Sequence, residues 1–403
     1  MKNLETLIQE LCPDGVEFRT MEEVFEIRNG YTPSKNNPDF WEGGTIPWFR
    51  MEDIRQNGRI LSDAIQHITP AAIKGKGLFP ANSIIIATTA TIGEHALVIA
   101  DSLANQRFTN LAVRKSLSAC LLPKFVFYYM FVIDEWCKKN VNAGNFASVD
   151  MKRFKKLEFP LPPIEVQTEI VRILDKFTSL EAELEAELDC RKRQYEYYRD
   201  RLLSFENVGG QEVTISKIGD IGRICMCKRI MKNQTNSESG IPFYKIGTFG
   251  KVADAYISND VYEEYKKLYS YPKKGDILMS ASGTIGRTVV FNGEPSYFQD
   301  SNIVWVDNDE TKVFNSYLNY YYQIIEWKTQ GGTIKRLYNN LLAGATIKYP
   351  SLEEQHRIVS ILDRFESLTT SLQSGLPAEI VARRQQYEHY RDKLLTFKRK
   401  GAA

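Results

Sequence analysis

Residues able to do covalent or metal chemistry are few in this chain and poorly spaced for it. Asn37-Pro38-Asp39-Phe40 resembles the Asn-Pro-Pro-Tyr/Phe signature of amino-methyltransferases, but Asp39 replaces the second proline and no glycine-rich cofactor loop follows a strand upstream. Pro13-Asp14 with Glu17 and Arg19 mimics a metal-nuclease pattern, yet its carboxylates crowd one short turn and the usual lysine is missing. Six cysteines (Cys12, Cys120, Cys137, Cys190, Cys225, Cys227) form no CxxC, and none of the four histidines lies near Cys225 and Cys227. Neither a disulfide framework nor a zinc site is indicated. No GxxxxGK[ST] phosphate loop occurs. The chemistry left is hydrogen bonding by amides, hydroxyls and guanidinium groups in loops punctuated by Gly, Pro and Asn.

Those loops sit in a duplicated chain. Gln167-Thr-Glu-Ile170-Val-Arg-Ile173-Leu-Asp175-Lys-Phe177, ending in Tyr195-Glu-Tyr-Tyr-Arg199-Asp200-Arg-Leu-Leu203-Ser-Phe205, is answered by Gln355-His-Arg-Ile358-Val-Ser-Ile361-Leu-Asp363-Arg-Phe365 and Tyr387-Glu-His-Tyr-Arg391-Asp392-Lys-Leu-Leu395-Thr-Phe397. Shared helical composition does not fix Gln, Asp, Arg-Asp and Phe at equal offsets; a tandem repeat does. In the first copy Ile170, Ile173, Phe177, Leu180, Leu184 and then Tyr195, Tyr198, Leu202 recur at steps of three and four; in the second, Ile358, Ile361, Phe365, Leu368, Leu372 and then Tyr387, Tyr390, Leu394. This is a coiled-coil seam. A helix from Gln167 to Phe205 is ~58 Å long, too long to bury against one small module, so each copy is the other's partner. The second copy is four residues longer, with Gly375 and Pro377 at the insertion, and Pro377 predicts a break or kink there, with the helix restarting with proline at its first position.

Each helix follows a module with the same punctuation. Gly44-Thr-Ile-Pro47-Trp48-Phe49-Arg50 answers Gly240-Ile-Pro242-Phe243-Tyr244-Lys245; Phe79-Pro80, Thr91-Ile92-Gly93 and Gln106 answer Tyr271-Pro272, Thr284-Ile285-Gly286 and Gln299; Gly144 answers Gly332 before the alternating strands Leu157–Leu161 and Ala345–Tyr349. Short β-rich runs with helices around Lys124–Lys138 and Asn315–Thr329 predict a curved, largely antiparallel sheet in each module. Between the shared positions many polar residues differ, giving two scaffolds of one fold with unlike surfaces.

At 403 residues, 43% hydrophobic and 25% charged, the chain can bury two cores. It has no apolar run of about 18 residues and no signal segment, which predicts a soluble protein of a reducing cytoplasm. Residues 1–162, 163–205, 206–349 and 350–403 carry +1, −3, +2 and +2, which make the chain's +2. Bulk charge alone does not bind a polyanion here, so any phosphate-neutralising surface is local or lies on other subunits.

Cys12-Pro13-Asp14-Gly15-Val16-Glu17-Phe18, Gly30-Tyr31-Thr32-Pro33-Ser34, Gly44-Thr45-Ile46-Pro47-Trp48, the Pro163-to-Gln167 entry and the Gln-Tyr-Glu-x-Tyr-Arg-Asp-x-Leu-Leu-x-Phe exit follow one another along nearly the whole chain. In that order they resemble the specificity (S) subunits of type I restriction-modification systems. The resemblance implies an α+β fold with two pseudo-symmetric β-rich target-recognition domains, 1–162 and 206–349, separated and joined by a long antiparallel coiled coil of two helices, 163–205 and 350–403. It implies a non-catalytic subunit that reads a bipartite, asymmetric DNA site, one half per domain. It also implies docking of two modification (M) subunits that methylate adenine N6 with S-adenosylmethionine, and of restriction (R) subunits using ATP and Mg. This chain itself is expected to bind no cofactor or metal. The rivals are a stand-alone adenine methyltransferase, which the broken signature disfavours, and a purely structural coiled-coil scaffold, which leaves two diversified heads unexplained.

Base edges are read by amides, hydroxyls and guanidinium groups. In the first head these are Thr32, Ser34, Lys35, Arg50, Arg55, Lys74, Lys76, Thr89, Gln106, Arg107 and Asn145; in the second, Lys228, Arg229, Lys232, Lys245, Lys251, Ser282, Thr284, Arg287, Gln299, Lys335 and Arg336. Trp48, Phe49, Phe243 and Tyr244 are expected in cores. Arg199-Asp200 and Arg391-Asp392 suit either exposed ion pairs of small energetic weight or contacts to M subunits.

Overall fold

The computed structural model describes every residue except 1–3, 143–146, 206–211, 332–334, 372–374 and 402–403. It divides into two compact units, Met1–Glu183 with Ile380–Ala403, and Leu184–Glu379. The helices that position the loops are α1 (Pro123–Lys139), α2 (Ile164–Ser204), α3 (Asn315–Tyr321), α4 (Leu352–Thr370) and α5 (Gly375–Leu394).

In the first unit a five-stranded sheet runs in the order Phe25–Asn29, Phe108–Val113, Ser83–Ala87, His95–Val98, Ile60–Leu61, antiparallel except at the last pair. Ser83–Ala87 is buried throughout, so it reads as unbroken Ile84-Ile85-Ile86 instead of an alternation. Its two faces serve two cores: Ile84 and Ile86 join Phe125, Phe159, Ile170 and Leu174, while Ile85 and Ala87 join Trp48, Phe49, Phe79 and Phe108. In a smaller sheet, Ile46–Phe49 lies antiparallel to His67–Ile68 and parallel to Leu103–Ala104. A ribbon pairs Glu17–Thr20 with Glu158–Leu161. The C-terminal tail closes beside it: Val16 N–H donates to Lys398 O (2.8 Å) and Lys400 N–H to Val16 O (2.9 Å). Gly15, at φ +95°, admits the tail because a Cβ there would stand 2.7 Å from Lys398 O.

The second unit repeats the plan. Its main sheet, Gly222–Cys225, Ile303–Asn308, Ile277–Ser280, Thr288–Val290, is antiparallel. Ile241–Tyr244 again runs antiparallel to one short strand, Tyr256–Ile257, and parallel to another, Tyr297–Phe298, and Thr214–Lys217 pairs with Thr346–Tyr349. The helix expected around Asn315–Thr329 stops at Tyr321; the loop beyond it presents Trp327, whose indole Nε1 occupies the space within 2.5 Å of where a Cβ on Gly286 would stand.

Two identical anchors tie helix to module. Gln167, fully buried, accepts from Leu122 N–H (2.9 Å) and donates to Cys120 O and Pro162 O (both 2.7 Å). Gln355, equally buried, accepts from Phe314 N–H (3.0 Å) and donates to Lys312 O and Pro350 O (both 2.9 Å). Beside them Tyr128 donates to Asp175 (2.7 Å), as Tyr320 does to Asp363 (2.5 Å).

The helices pair within each unit. In the first, Phe177 stacks on Tyr390 (5.6 Å, 24°) with Tyr387 at 6.4 Å, and Arg384 bonds Glu181 (2.7 Å), an antiparallel order because the α5 numbers fall as the α2 numbers rise. In the second, Tyr198 stacks on Phe365 (5.8 Å, 30°), the same pair of repeat positions with partners exchanged. Burial extends beyond the expected seam: Leu174, Leu362, Leu203 and Leu395 are at most 3% exposed because each meets a β module as well as a helix. Ile170, Ile358 and Tyr387 are buried; Ile173, Phe177, Leu184, Tyr195, Leu202, Ile361, Phe365 and Leu394 are half-buried. Leu180, Tyr198, Tyr390 and Leu368 are exposed, and Leu372 lies outside the described residues. The interruption of the second copy falls earlier than expected: α4 ends at Thr370, and α5 begins at Gly375 with Pro377 its third residue instead of its first. Gly375 has φ +78°, and a Cβ there would meet Leu368 O at 2.8 Å, so the glycine sets the break and proline is accommodated in the following turn.

Candidate nucleic-acid interface

In the second unit the loop Gln299–Asn302, between the parallel-paired strand and the central sheet strand, forms the floor of a cleft of roughly 530 Å³. Arg229, Lys232, Lys245, Gln299 and Arg336 line it, so five of the expected residues converge there. Asn302 organises the floor: its Oδ1 accepts from Ser282 Oγ (2.8 Å) and from Arg336 Nη2. Arg229 bonds Asp300 (2.9 Å), Lys245 pairs with Asp254 (2.8 Å), and Gln299 Oε1 accepts from Ile246 N–H (2.9 Å). Other candidates are engaged elsewhere or project separately. Lys228 lies over the Tyr269 ring (4.9 Å), and Arg287 N–H donates to Ser280 Oγ (3.1 Å). Thr284 O accepts from Ser280 Oγ, and Lys251 and Lys335 are exposed.

In the first unit the equivalent loop is Asn105–Arg107. Thr32 Oγ1 donates to Gln106 Oε1 (2.5 Å), and Thr89 bridges Ser148. The backbone corrects one equivalence. Asn105 N–H donates to Phe49 O and Gln299 N–H to Tyr244 O, so Asn105, not Gln106, stands where Gln299 does; the second loop is one residue longer. Arg50 is half-buried over Trp48 (5.9 Å) and 3.9 Å from Glu52. Lys74 N–H donates to Tyr31 Oη (2.9 Å), Ser34 O accepts from Trp41 Nε1 (3.0 Å), and Lys76 sits 3.7 Å from Glu26. Lys35, Arg55 and Arg107 are exposed; Asn145 lies outside the described residues. The sequence reading missed Asn302, Asp300, Asn105 and Ser148, whose only signal is membership of a short polar run beside an apolar strand. Trp48, Phe49 and Phe243 are buried; Tyr244 is half-buried and stacks on Phe298 (5.7 Å).

The rival signatures have local structural work. Asn37 Oδ1 caps the turn Pro38–Phe40 by accepting from Asp39 N–H (3.1 Å), and Glu17 pairs with Arg19 (2.7 Å). Burial pushes the Cys137 and Cys227 thiols up to about 12, away from nucleophilic use. Among the described residues no group of three or more His, Cys, Asp or Glu is arranged to hold a metal ion, and no helix is long and apolar enough to cross a membrane. Arg199 and Arg391 pack their guanidinium groups on Tyr195 (5.6 Å) and Tyr387 (5.7 Å) while bonding Asp200 and Asp392, whose side chains stay largely exposed.

The family described as the type I restriction modification DNA specificity domain matches residues 13–189 and 210–382. A Haemophilus influenzae protein named for the specificity subunit of a type I restriction enzyme is 42% identical over 98% of this chain and 100% of its own length. The Escherichia coli EcoprrI specificity subunit is 54% identical over 51% of this chain and 55% of its own. A solved chain from a study of type I R-M complex assembly superposes with TM-score 0.62 at 18% identity, covering 94% of this chain and 97% of that one, a likeness of fold. Specificity subunits are the non-catalytic members of their enzymes, the catalysis lying in partner subunits. Two copies of one module, each closed by a paired helix and each bearing a polar loop at the same backbone position, thus accompany a match across most of the sequence: the chain belongs to the specificity subunits of type I restriction-modification systems.

Proposed function

We propose that each β-rich module, 1–162 and 206–349, reads one half of a bipartite, asymmetric DNA site, and that the helical regions 163–205 and 350–403 set the number of unread base pairs between the halves. The supporting observation is one backbone site built twice from different side chains: Asn105, Arg107, Thr89 and Ser148 in one unit, Gln299, Asn302, Ser282 and Arg336 in the other. One scaffold with two chemistries suits two different half-sites. The helices and their exposed Asp200 and Asp392 carboxylates receive two M subunits, R subunits complete the enzyme, and S-adenosylmethionine, ATP and Mg are used by those partners in the cytoplasm. Near-neutral charge is tolerable because the M subunits supply much of the phosphate grip.

The test is to replace residues 1–160 with the corresponding head of another family member and sequence methylated adenines in a host that also expresses the M subunit. One half-site should change while the other persists. Alteration of both halves refutes modular reading, and methylation by the purified chain without an M subunit refutes its non-catalytic role.

A further inference from the structure

Resting on that reading, we propose that one arginine per head reads a guanine, supplied from different segments of the shared frame in the two heads: Arg107 in the first and Arg336 in the second. The backbone establishes the correspondence. In the first unit Thr88 N–H donates to Arg107 O (3.0 Å), Val149 N–H donates to Thr88 O (2.9 Å), and Thr89 bridges Ser148. In the second Ala281 N–H donates to Asn302 O (2.7 Å), Leu337 N–H donates to Ala281 O (2.9 Å), and Ser282 bridges Arg336. Thr89 therefore answers Ser282, Arg107 answers Asn302, and Ser148 answers Arg336. The guanidinium stands on the loop in one head and on the segment bridged to it in the other, with a small polar residue opposite it each time.

The chemistry favours these two over the lysines and over Arg229. Asn302 Oδ1 takes one Nη2 hydrogen of Arg336; among the described residues no other bond to its guanidinium is found, so the second Nη2 hydrogen is available side by side with Nε–H or Nη1–H. A planar fork of that kind donates to guanine O6 and N7 together, which a lysine ammonium does not. Arg107 is pinned through its backbone, N–H to Asn105 Oδ1 (3.0 Å) and O from Thr88, while its side chain is exposed. Among the described residues no carboxylate forms an ion pair with either, whereas Arg229, Lys245 and Lys76 are taken by Asp300, Asp254 and Glu26. A guanidinium without a carboxylate partner, held by its side chain at Arg336 and by its backbone at Arg107, is the group a base edge can engage at least cost.

Methylated-adenine sequencing of genomic DNA from a host expressing the chain with its M subunit gives the parent site; duplexes carrying single substitutions of that site then measure discrimination by the purified complex. Arg107→Gln should relax one guanine position in the first half-site only, and Arg336→Gln one in the second, each lowering discrimination there about 10- to 100-fold. Arg→Lys should not restore it. Persistence of the other half-site in each variant shows that the complex is assembled. Unchanged discrimination in both variants, a parent site lacking guanine in either half, or weakening spread evenly over all sequences, as a lost phosphate contact gives, overturns the proposal. A parent complex with no sequence preference would instead overturn the recognition reading itself.

Discussion

Replacing Gln167 by leucine keeps the volume of the side chain but removes three hydrogen bonds, and the structure says where the cost falls. Leu122 N–H, Cys120 O and Pro162 O lose their partner. Pro162 O lies in a buried bond and should suffer the full penalty of an unsatisfied group, about 1–3 kcal/mol; the other two bonds are half-buried, where water replaces part of what is lost. Leucine also recovers part of the cost through its apolar surface, leaving a net loss of about 2–3 kcal/mol, a large share of the roughly 5–15 kcal/mol that holds a domain folded. The loss belongs to the first unit, where Gln167 fixes the start of α1 against the start of α2. Hydrogen exchange followed by mass spectrometry should therefore show peptides covering α1 exchanging about 30- to 150-fold faster, at tenfold per 1.4 kcal/mol, with α3 unchanged. Gln355→Leu should do the reverse. A change below threefold in α1, or equal acceleration in both units, would refute the anchoring role.

Further outcomes follow from other contacts. Phe177→Ala and Tyr390→Ala should show a coupling of about 0.5–1.5 kcal/mol in a double-mutant cycle of urea unfolding, as should Tyr198→Ala with Phe365→Ala; additivity within error would mean the stacked rings do no pairing. Gly286→Ala combines φ +84° with a Cβ 2.5 Å from the Trp327 indole, and should cost about 2–4 kcal/mol in thermal unfolding; a variant as stable as the parent would show that Trp327 is not wedged there. The buried Cys137 and Cys227 thiols, raised from 9.0 to about 12, contribute stability that is complete below pH 9 and lost as pH rises toward 12. At pH 10.5 each should account for a loss on the order of 2 kcal/mol, so a Cys137→Ala/Cys227→Ala chain should lose less between pH 8 and 10.5 than the parent. Equal losses in urea midpoints would refute this.

What was legible in the sequence was whatever repeats or has a period. The helical stripe, the strands around Ile84–Ile86 and Ile277–Leu278 and the paired ribbons follow from apolar spacing, and Gln167 and Gln355 announced themselves by recurring. Cleft geometry was less legible, because a loop's register depends on the strands that bracket it: Gln106 matches Gln299 by type, yet the hydrogen bonds to Phe49 O and Tyr244 O make Asn105 the equivalent residue. Asn302 was missed for the same reason, since nothing in Asp300-Ser301-Asn302 reveals that one amide oxygen will gather Ser282 and Arg336. Gly375 and Pro377 both mark the insertion in the sequence; which of them makes the break was not legible, because the positive φ at Gly375 is a property of backbone geometry that residue type only permits.

The anchors explain how two heads diverge on one frame. All three bonds of Gln167, and all three of Gln355, go to backbone N–H and C=O groups, so they constrain where the module's chain passes and not which side chains it carries. The same holds at the two polar loops, where backbone bonds from Thr88 and Ala281 set the loop and leave its side chain free to be Arg107 or Asn302. Docking written in main-chain atoms imposes almost no sequence cost on the reading surface, whereas docking through side chains would have tied each new specificity to a compensating change in the helix. A head from a relative should therefore seat on these helices whenever it offers one N–H and two carbonyls to the glutamine and a tyrosine hydroxyl to Asp175 or Asp363, and a graft that keeps those atoms but fails to fold would place the decisive contacts in the apolar seam instead.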